Sequence, residues 1–317
     1  MRANKRFSLF AVTVALTVSC AANAAPVFIN ILTGGTSGVY YPIGVGLSQI
    51  YSDGIAGAKT SVQATKASVE NLNLLQAGRG ELALALGDSV ADAKNGVEDA
   101  GFKAPLTKLR AIAGAYPNYI QIVANKESGI KTLADLKGKT ISVGAPKSGT
   151  ELNARAIFKA AGLTYEDMSK VQYLPFAESV ELIKNRQLDA TLQSSGLGMA
   201  AIRDLSSTMP LNYVSIPPDV VSKIGNAAYQ PAQIPANTYD GQPESVPTVA
   251  ITNILVTRED VSDDIAYQMT KLMFENLTRL GNSHSAAKDI KLQNAAKNLP
   301  IPLHPGAERY YKEAGAL

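Results

Sequence analysis

The chain has 317 residues, of which 46% are hydrophobic and 18% are charged, with 30 basic and 27 acidic side chains. This length and apolar content are sufficient for more than one hydrophobic core, so we expect two domains. The formal net charge of only +3 gives the protein little electrostatic reason to bind nucleic acid or an anionic membrane surface.

The N-terminal segment has the features of an export signal. Three basic residues precede an apolar segment over 7–18, and Ala22-Asn23-Ala24 has the small-x-small pattern of a cleavage site. Cleavage after Ala24 would remove these three basic residues and no acidic one, which leaves the mature chain formally neutral. We therefore expect a periplasmic protein with no nucleic-acid partner.

Cys20 is the only cysteine and lies inside this signal. A mature chain without cysteine has no disulfide, no thiol nucleophile and no thiolate metal ligand. The alternative is a lipoprotein signal that leaves a lipid on Cys20, although Thr17 is a poor residue three places before such a cysteine. Beyond the signal, no stretch reaches the roughly 18 apolar residues of a membrane-spanning helix.

Strand and helix patterns alternate along most of the chain. An apolar run over 27–32 predicts a strand, and apolar side chains from Ile43 to Tyr51 recur at the spacing of a helix. Further strands are predicted over 82–86, 110–115, 119–124, 140–144, 188–193 and 249–256, helices over 150–161, 179–185 and about 262–280, and an irregular Pro-rich segment over 231–247. The alternation indicates α/β layers with largely parallel sheets.

The turn Thr33-Gly34-Gly35-Thr36-Ser37-Gly38-Val39-Tyr40-Tyr41-Pro42 connects the first strand to the first helix. Its small residues leave main-chain N–H groups accessible at a helix N-terminus, where the helix dipole favours a negative charge. We therefore predict that this turn holds a small anion. One of Tyr40 and Tyr41 is expected to line the same cleft, because consecutive helical residues face different directions.

Three other strand ends also collect small polar residues, over 87–89, 144–150 and 193–196. In open α/β sheets, ligands bind outside the carboxyl ends of strands, so these segments are candidates for one cleft. The second has the Gly-x-x-x-x-Gly spacing of a phosphate loop, but Thr150-Glu151 stands where Lys-Ser or Lys-Thr should follow, which excludes an ATPase loop. The alternative is a capping box, in which Ser148 caps the helix and Glu151 reaches back.

Two of the candidate residues have two interpretations each. Asp88 is either a cap of the following helix or an acidic partner for an ammonium group on the ligand. Tyr116, in a connection between two predicted strands, is either a ligand contact or part of a hinge. The predicted ligand-binding residues are Gly35, Thr36, Ser37, Gly38, Tyr40, Tyr41, Asp88, Ser89, Tyr116, Ser148, Gly149, Thr150, Gln193, Ser194 and Ser195.

Signatures of catalysis are sparse. His284 and His304 are the only histidines, and neither accompanies a nucleophile elbow or a metal-binding His pair. We therefore expect no enzyme, no cofactor and no metal. The competing hypothesis is a periplasmic enzyme for a small carboxylated or phosphorylated substrate, with Asp88 or Glu151 as its general base.

Three sequence blocks resemble the TAXI receptors of TRAP transporters. They are Leu32-Thr33-Gly34-Gly35-Thr36-Ser37-Gly38-Val39-Tyr40-Tyr41-Pro42-Ile43-Gly44, then Ile234-Pro235-Ala236-Asn237-Thr238-Tyr239 with Val246-Pro247-Thr248-Val249, and Ile301-Pro302-Leu303-His304-Pro305-Gly306-Ala307-Glu308-Arg309-Tyr310-Tyr311. The resemblance implies the type II periplasmic binding protein fold, with two α/β lobes and a ligand cleft between them. We expect lobe 1 over 26–116 and 214–317, and lobe 2 over 117–213.

The same resemblance implies a function. The family delivers solutes to a membrane permease driven by an ion gradient, and its known ligands include glutamate-like amino acids and dicarboxylates such as 2-oxoglutarate. We therefore expect a monomeric receptor for a small carboxylate that works with the membrane permease subunits of a TRAP transporter. The fold also permits a role in an ATP-driven importer or a chemosensor. The sequence leaves open whether the ligand is an amino acid or a keto acid.

Overall fold

The structure is a computed structural model that describes residues 26–317, so the predicted export signal, including Cys20, lies outside the described residues. The strands within this range are β1 (Val27–Leu32), β2 (Ala58–Gln63), β3 (Leu82–Leu86), β4 (Leu109–Asn125), β5 (Thr140–Ser142), β6 (Lys170–Gln172), β7 (Ala190–Ser195), β8 (Leu211–Val214), β9 (Gln230–Ile234) and β10 (Val246–Arg258). The helices are α1 (Tyr40–Gly54), α2 (Ser68–Gln76), α3 (Gly87–Asn95), α4 (Gly149–Ala160), α5 (Phe176–Lys184), α6 (Ala200–Thr208), α7 (Pro218–Ile224), α8 (Asp263–Glu275), α9 (Leu277–Ser283), α10 (Leu292–Ala295) and α11 (Pro305–Glu313).

The strands form a ten-stranded sheet in the order β2-β1-β3-β10-β4-β7-β5-β6, with β8 beside β4 and β9 beside β10. β1 is parallel to β2 and β3, and β5 is parallel to β6 and β7. Antiparallel pairings of β10 with β3, of β10 with β4, and of β4 with β7 separate these two parallel groups. Each parallel group with its helices is one α/β lobe.

Helices follow strands in both groups, which places helix N-termini at the carboxyl ends of the strands. In the first lobe, α1 follows β1 and α2 follows β2; in the second lobe, α4 follows β5 and α5 follows β6. As predicted, α1 buries Ile43, Leu47, Ile50 and Tyr51 against the first lobe. The helix starts of both lobes therefore surround the space between them.

β4 and β10 are long strands that pass through both lobes. The segment of β4 up to Gly114 pairs with the segment of β10 that also pairs with β3, whereas the segment from Tyr119 pairs with β7. The register between β4 and β10 shifts between Thr252 and Ile254. At this shift the side-chain amide of Asn253 donates a hydrogen bond to the main-chain oxygen of Tyr116 at 3.0 Å.

The prediction of two separate strands over 110–115 and 119–124 is therefore wrong, because β4 is continuous from Leu109 to Asn125. Pro117 lies beside the register shift, where the ladder is already interrupted and a residue without an N–H group is tolerated. Tyr116 is fully buried at the same place. Its position favours the hinge interpretation over a ligand contact.

Two other predicted elements are also corrected. The segment 231–247 contains β9 despite its prolines, because β9 pairs only with β10 among the described strands and an edge strand tolerates proline. The predicted long helix over 262–280 is two helices, α8 and α9, that meet at Asn276. Asn276 has a non-helical φ of −121°, and its side chain donates to the main-chain oxygen of Leu272 at 2.8 Å.

The division of the chain at 116/117 and 213/214 stays a prediction. In the structure, α7 packs against α4 of the second lobe, and Val220 shares a buried cluster with Ile157 and Ile141. β9 pairs with the half of β10 that precedes the register shift. These contacts favour a second boundary near Asn253, later than the predicted one.

Candidate ligand-binding cleft

A cavity of about 160 Å³ lies between the two lobes. It is lined by residues from the β1–α1 and β2–α2 connections of the first lobe and from the β5–α4 and β6–α5 connections of the second lobe. The end of β7 completes the wall with Ser194 and Ser195. We call this cavity the cleft pocket.

The N-termini of four helices line the cleft pocket. Tyr40 begins α1 and Ser68 begins α2, while Gly149 begins α4 and Phe176 begins α5. The first N–H groups of a helix have no partner inside it, and the helix dipole adds partial positive charge there. Such ends are suited to binding anions, and here they come from both lobes.

Lys66 is the only charged residue among the described residues that line the cleft pocket. It is exposed, and its ammonium group forms no ion pair within 26–317. Ala67, next to it, has a φ of +69°, a conformation that residues with a side chain rarely adopt. The strained turn brings the lysine and the start of α2 to the same wall.

Thr150 contributes a hydroxyl that the protein leaves unused. The residue is 5% exposed and lines the cleft pocket, and its hydroxyl makes no hydrogen bond to any residue in 26–317. The hydroxyl is therefore available to hydrogen-bond a ligand in the cleft pocket. Ser148, two residues earlier, caps α4 as predicted, since its Oγ accepts from the main-chain N of Glu151 at 3.2 Å.

The two lobes are in direct contact around the cleft pocket. The main-chain N of Val39 donates to Ser195 Oγ at 3.3 Å, and the main-chain oxygen of Ser37 accepts from the N of Ala201 at 3.2 Å. A Cβ on Gly149 would lie 2.7 Å from Ser68 Oγ on the opposite lobe. The lobes are therefore closed, and glycine at 149 permits this close approach.

Part of the lining of the cleft pocket is apolar. Phe176, Leu86 and the ring of Tyr40 contribute to it. The hydroxyl of Tyr40 points away from water and donates to Asn253 Oδ1 at 2.6 Å, and burial raises the pKa of this phenol well above its ordinary value. Tyr40 therefore stays neutral and offers a ligand its ring.

The structure brings part of the predicted site together. Eight of the fifteen predicted residues line the cleft pocket, namely Gly35, Gly38, Tyr40, Ser148, Gly149, Thr150, Ser194 and Ser195. Thr36 and Tyr41 line a separate surface groove with His284. The others do not line the cleft pocket: Asp88, Ser89, Tyr116 and Gln193 are buried, and Ser37 is half-buried. Which of these residues contact a ligand stays a prediction.

Asp88 is buried in a polar cluster beside the cleft pocket. Its Oδ2 accepts from the Tyr229 hydroxyl at 2.6 Å and from Asn153 Nδ2 at 2.7 Å, and its Oδ1 accepts from the main-chain N of Ser89 at 2.7 Å. Asn153 in turn accepts from Ser194 Oγ at 2.8 Å. Burial raises the pKa of Asp88 to about 6. We call Asp88, Asn153, Tyr229 and Ser194 the Asp88 cluster.

The position of Asp88 disagrees with both earlier interpretations. It lies inside the first turn of α3, which begins at Gly87, and it does not cap that helix from outside. Its carboxylate faces Asn153 and Tyr229 and does not line the cleft pocket, so it is not placed to meet a ligand ammonium group. Because α3 belongs to the first lobe and α4 to the second, the bond to Asn153 bridges the lobes.

Glu151 also has a structural partner. Its carboxylate forms a two-pronged ion pair with Arg155, with both N–O distances at 2.6 Å, and accepts from the Tyr165 hydroxyl at 3.1 Å. The predicted capping box is therefore half correct, since Glu151 does not reach back to Ser148. Within 26–317, no group of three His, Cys, Asp or Glu side chains is arranged to hold a metal ion.

The sequence did not single out Thr65 to Ser68 or Pro175-Phe176, which also line the cleft pocket. The first of these follows β2 and precedes α2, so the strand–polar turn–helix pattern used for the other segments could have identified it. That turn has no glycine to draw attention to it. Phe176 carries no such signal, because an apolar residue at a helix start is common in any core.

No helix over 26–317 is long and apolar enough to cross a membrane. A model of the NMT1-like family matches residues 31–315.

Solved structures with the same architecture include a periplasmic transporter, at 15% identity and a TM-score of 0.58, over 91% of this chain and 92% of that one. A protein from Bordetella bronchiseptica RB50 is 16% identical, with a TM-score of 0.53, over 91% and 81% of the two chains. The binding protein component of an ABC phosphonate transporter from Pseudomonas aeruginosa is 12% identical, with a TM-score of 0.52, over 84% and 80%. The predicted fold class, two α/β lobes with a cleft between them, is confirmed.

Proposed function

The chain belongs to the NMT1-like family, and from this premise we propose that it is a periplasmic receptor that captures a small carboxylate and delivers it to a membrane permease. The observation that carries the proposal is the lining of the cleft pocket. Four helix N-termini and Lys66 surround it, and no acidic side chain among the described residues lines it. This arrangement selects for negative charge.

The expected affinity is consistent with such a site. A dissociation constant of 1 μM corresponds to about −8.2 kcal/mol. Hydrogen bonds to a charged group contribute about 1.5–3 kcal/mol each, and burial of apolar ligand surface adds about 25 cal/mol per Å². A few N–H and hydroxyl donors, together with contact to Phe176 and Leu86, are sufficient.

Ligand binding and closure are coupled in this proposal. A ligand stabilises the closed form only by contacts that it makes there and loses in the open form. Because the cleft pocket is lined from both lobes, an anion that touches both α2 and α4 holds them together. The contacts of Val39 with Ser195 and of Ser37 with Ala201 form in the same arrangement. The permease then recognises the closed form.

A receptor is favoured over the periplasmic enzyme. Two carboxylates were considered as general bases. Asp88 accepts hydrogen bonds from Tyr229 and Asn153. Glu151 is paired with Arg155. Neither lines the cleft pocket. A general base needs to reach the proton that it removes, directly or through one water.

The direct test is a thermal-shift panel on the mature protein, unfolded and refolded to remove any bound solute. The panel contains 2-oxoglutarate, succinate, pyruvate, glutamate, phosphate, ethanesulfonate and methylphosphonate. A ligand at 100 times its dissociation constant adds about 2.7 kcal/mol of stability, so binding is readily detected. No shift with any carboxylate contradicts the proposal, and a shift with sulfonate or phosphonate alone replaces carboxylate by that anion.

We further propose that the partner is a TRAP permease driven by an ion gradient, on the basis of the three sequence blocks that resemble TAXI receptors. The competing partner is an ATP-driven importer. Uptake of the identified solute by cells distinguishes the two. Loss of uptake when ionophores collapse the ion gradients at constant ATP supports the TRAP permease, whereas loss only on ATP depletion assigns the importer.

A further inference from the structure

Three serine hydroxyls of the cleft pocket each accept a hydrogen bond from the main chain. Ser68, Ser148 and Ser195 line the cleft pocket and are at most 4% exposed. Each Oγ already accepts a main-chain N–H hydrogen bond, and the donors are Leu86 at 3.1 Å, Glu151 at 3.2 Å and Val39 at 3.3 Å respectively. A hydroxyl has one hydrogen to donate, and neither Ser148 nor Ser195 donates it to an acceptor within 26–317. The Ser68 hydroxyl instead has the Tyr40 hydroxyl as its acceptor. Ser148 and Ser195 are therefore prepared to donate to a ligand.

Thr150 adds a third hydroxyl that is available to donate, since it has no partner in 26–317, and the starts of α1, α2, α4 and α5 add main-chain donors. By contrast, Ser194 has both roles filled, since it accepts from Asn118 Nδ2 at 2.6 Å and donates to Asn153 at 2.8 Å. The wall is thus rich in donors. A buried ammonium group would instead require acceptors, and would meet the positive ends of the helices.

Asp88 is the residue that the sequence suggested as an acceptor for an ammonium group, and it is already engaged. Its two oxygens accept three hydrogen bonds, from Tyr229, Asn153 and the N of Ser89, and the residue is 3% exposed. It does not line the cleft pocket. Redirecting it would leave the Tyr229 O–H and one of the two Asn153 Nδ2 hydrogens without an acceptor, which is unfavourable in a buried place.

The apolar part of the lining of the cleft pocket indicates that the ligand contains a hydrocarbon part. Phe176, Leu86 and the Tyr40 ring would leave an inorganic ion in contact with surface that cannot solvate it. The volume of about 160 Å³ is that of a site for a small ligand.

We propose that the cleft pocket binds small organic acids that lack an ammonium group, and that it selects a 2-oxo acid over the amino acid of the same skeleton. The proposal rests on the proposed function, since it names the chemical class of the solute that the same cleft captures. It decides between the two ligand classes that the sequence left open.

Matched ligand pairs test this selection by calorimetric titration of the refolded mature protein. The pairs are pyruvate and alanine, 2-oxoglutarate and glutamate, 4-methyl-2-oxopentanoate and leucine, and ethanesulfonate and taurine. In each pair that binds, we expect the member without an ammonium group to bind at least tenfold more tightly. An amino acid that binds as tightly as its oxo acid overturns the inference and leaves the carboxylate receptor intact.

Two other outcomes separate this inference from the proposed function. If only ethanesulfonate binds, the selection against ammonium groups is supported and the carboxylate is replaced. If no member of any pair binds, both proposals are overturned.

A charge-reversal variant tests the wall itself. Lys66→Glu puts an acceptor for an ammonium group on the cleft pocket, so we expect the preference for the oxo acid to fall at least tenfold. Lys147→Glu is the matched control, since Lys147 is also exposed, is close in sequence to Ser148 and does not line the cleft pocket. Its preference is expected to stay within twofold of the wild type. If Lys66→Glu prefers the oxo acid over the amino acid as strongly as the wild type does, the lining of the cleft pocket is not what selects between them.

Discussion

The cleft pocket and the Asp88 cluster lie next to each other between the lobes, share Ser194, and use their polar groups in opposite ways. In the Asp88 cluster, Asp88, Asn153 and Tyr229 satisfy one another at 2.6–2.7 Å. In the cleft pocket, the Thr150 hydroxyl has no partner within 26–317. Asp88 and Thr150 are both buried, at 3% and 5% exposed, so the exposure of the two residues does not distinguish them. The two regions differ in whether the protein itself supplies a hydrogen-bond partner for each polar group. It does so in the Asp88 cluster, which bridges the lobes, and it does not do so for Thr150 in the cleft pocket.

The largest expected effect comes from breaking the bridge. Asp88→Ala leaves the Tyr229 O–H and one of the two Asn153 Nδ2 hydrogens buried without an acceptor, and each unsatisfied donor costs about 1–3 kcal/mol. We expect the free energy of unfolding to fall by about 3 kcal/mol in urea denaturation. Asp88→Asn is the control, because it retains an oxygen and the shape and should lose less. Equal stability of Asp88→Ala and wild type would show that the cluster does not stabilise the fold.

The next effect concerns the close approach of the lobes. Gly149→Val places branched carbon atoms where a Cβ alone would lie 2.7 Å from both Ser68 Oγ and Leu86 Cδ1. Overpacking of this kind costs about 1–3 kcal/mol, and here it falls on the closed form, so we expect ligand affinity to drop about 10- to 100-fold. Calorimetry measures the drop.

Gly35→Ala is the matched control for this substitution. Gly35 also lines the cleft pocket, but a Cβ there meets nothing within 4 Å. We expect its affinity to change less than threefold. Similar losses in both variants would mean that the packing of Gly149 between the lobes is not what limits closure.

A smaller effect is expected from the one charge on the wall. Lys66→Gln removes a cation that has no ion pair within 26–317, and we expect the affinity for a dicarboxylate to fall about tenfold at low salt. Because Lys66 is exposed, the loss should shrink as ionic strength rises. Lys147→Gln controls for the change in net charge. A loss that is independent of salt would place the effect in packing and not in charge.

The smallest effect is a pH dependence that belongs to the Asp88 cluster. Burial raises the pKa of Asp88 to about 6, whereas an unfolded aspartate titrates near about 4. The folded protein therefore binds an extra proton between these values, and the stability that this contributes is lost as the pH rises through 6.

We expect unfolding to cost about 1 kcal/mol more at pH 5 than at pH 7 on account of Asp88. Burial also raises the pKa of Asp92, which is close by and shifts stability in the same direction. The comparison is therefore with Asp88→Asn, which should flatten the profile between pH 5 and pH 7. A wild-type profile identical to that of Asp88→Asn would contradict the raised pKa.

Local patterns in the sequence predicted three of the segments around the cleft pocket, those that follow β1, β5 and β7, but not the segments that follow β2 and β6. Gly- and Ser-rich turns after apolar strands located Gly35, Ser148 and Thr150, because a strand followed by a helix brings its connection to one edge of the sheet. Asp88 could not be interpreted in this way. Its partners, Asn153 and Tyr229, are distant in sequence and meet it only when the chain has folded and the lobes have closed.

The errors have the same origin. Pro117 suggests a break in a strand when it is considered alone, but the register shift of the neighbouring strand accommodates it. Lys66 resembles any surface lysine until the turn at Ala67 places it on the wall. In both cases the outcome depends on contacts between segments that are distant in the chain. Local patterns in one sequence do not predict which distant segments pair.

The pairing of β4 with β10 across both lobes restricts how the molecule opens. Flexible single-stranded linkers would allow the lobes to twist and slide, whereas a hydrogen-bonded ribbon resists shear within its plane and bends most easily across it. The bend is expected at the register shift between Thr252 and Ile254, where the ladder is already interrupted between the two lobes. The movement then approaches a rotation about one axis, and the two walls of the cleft return to the same alignment in every cycle.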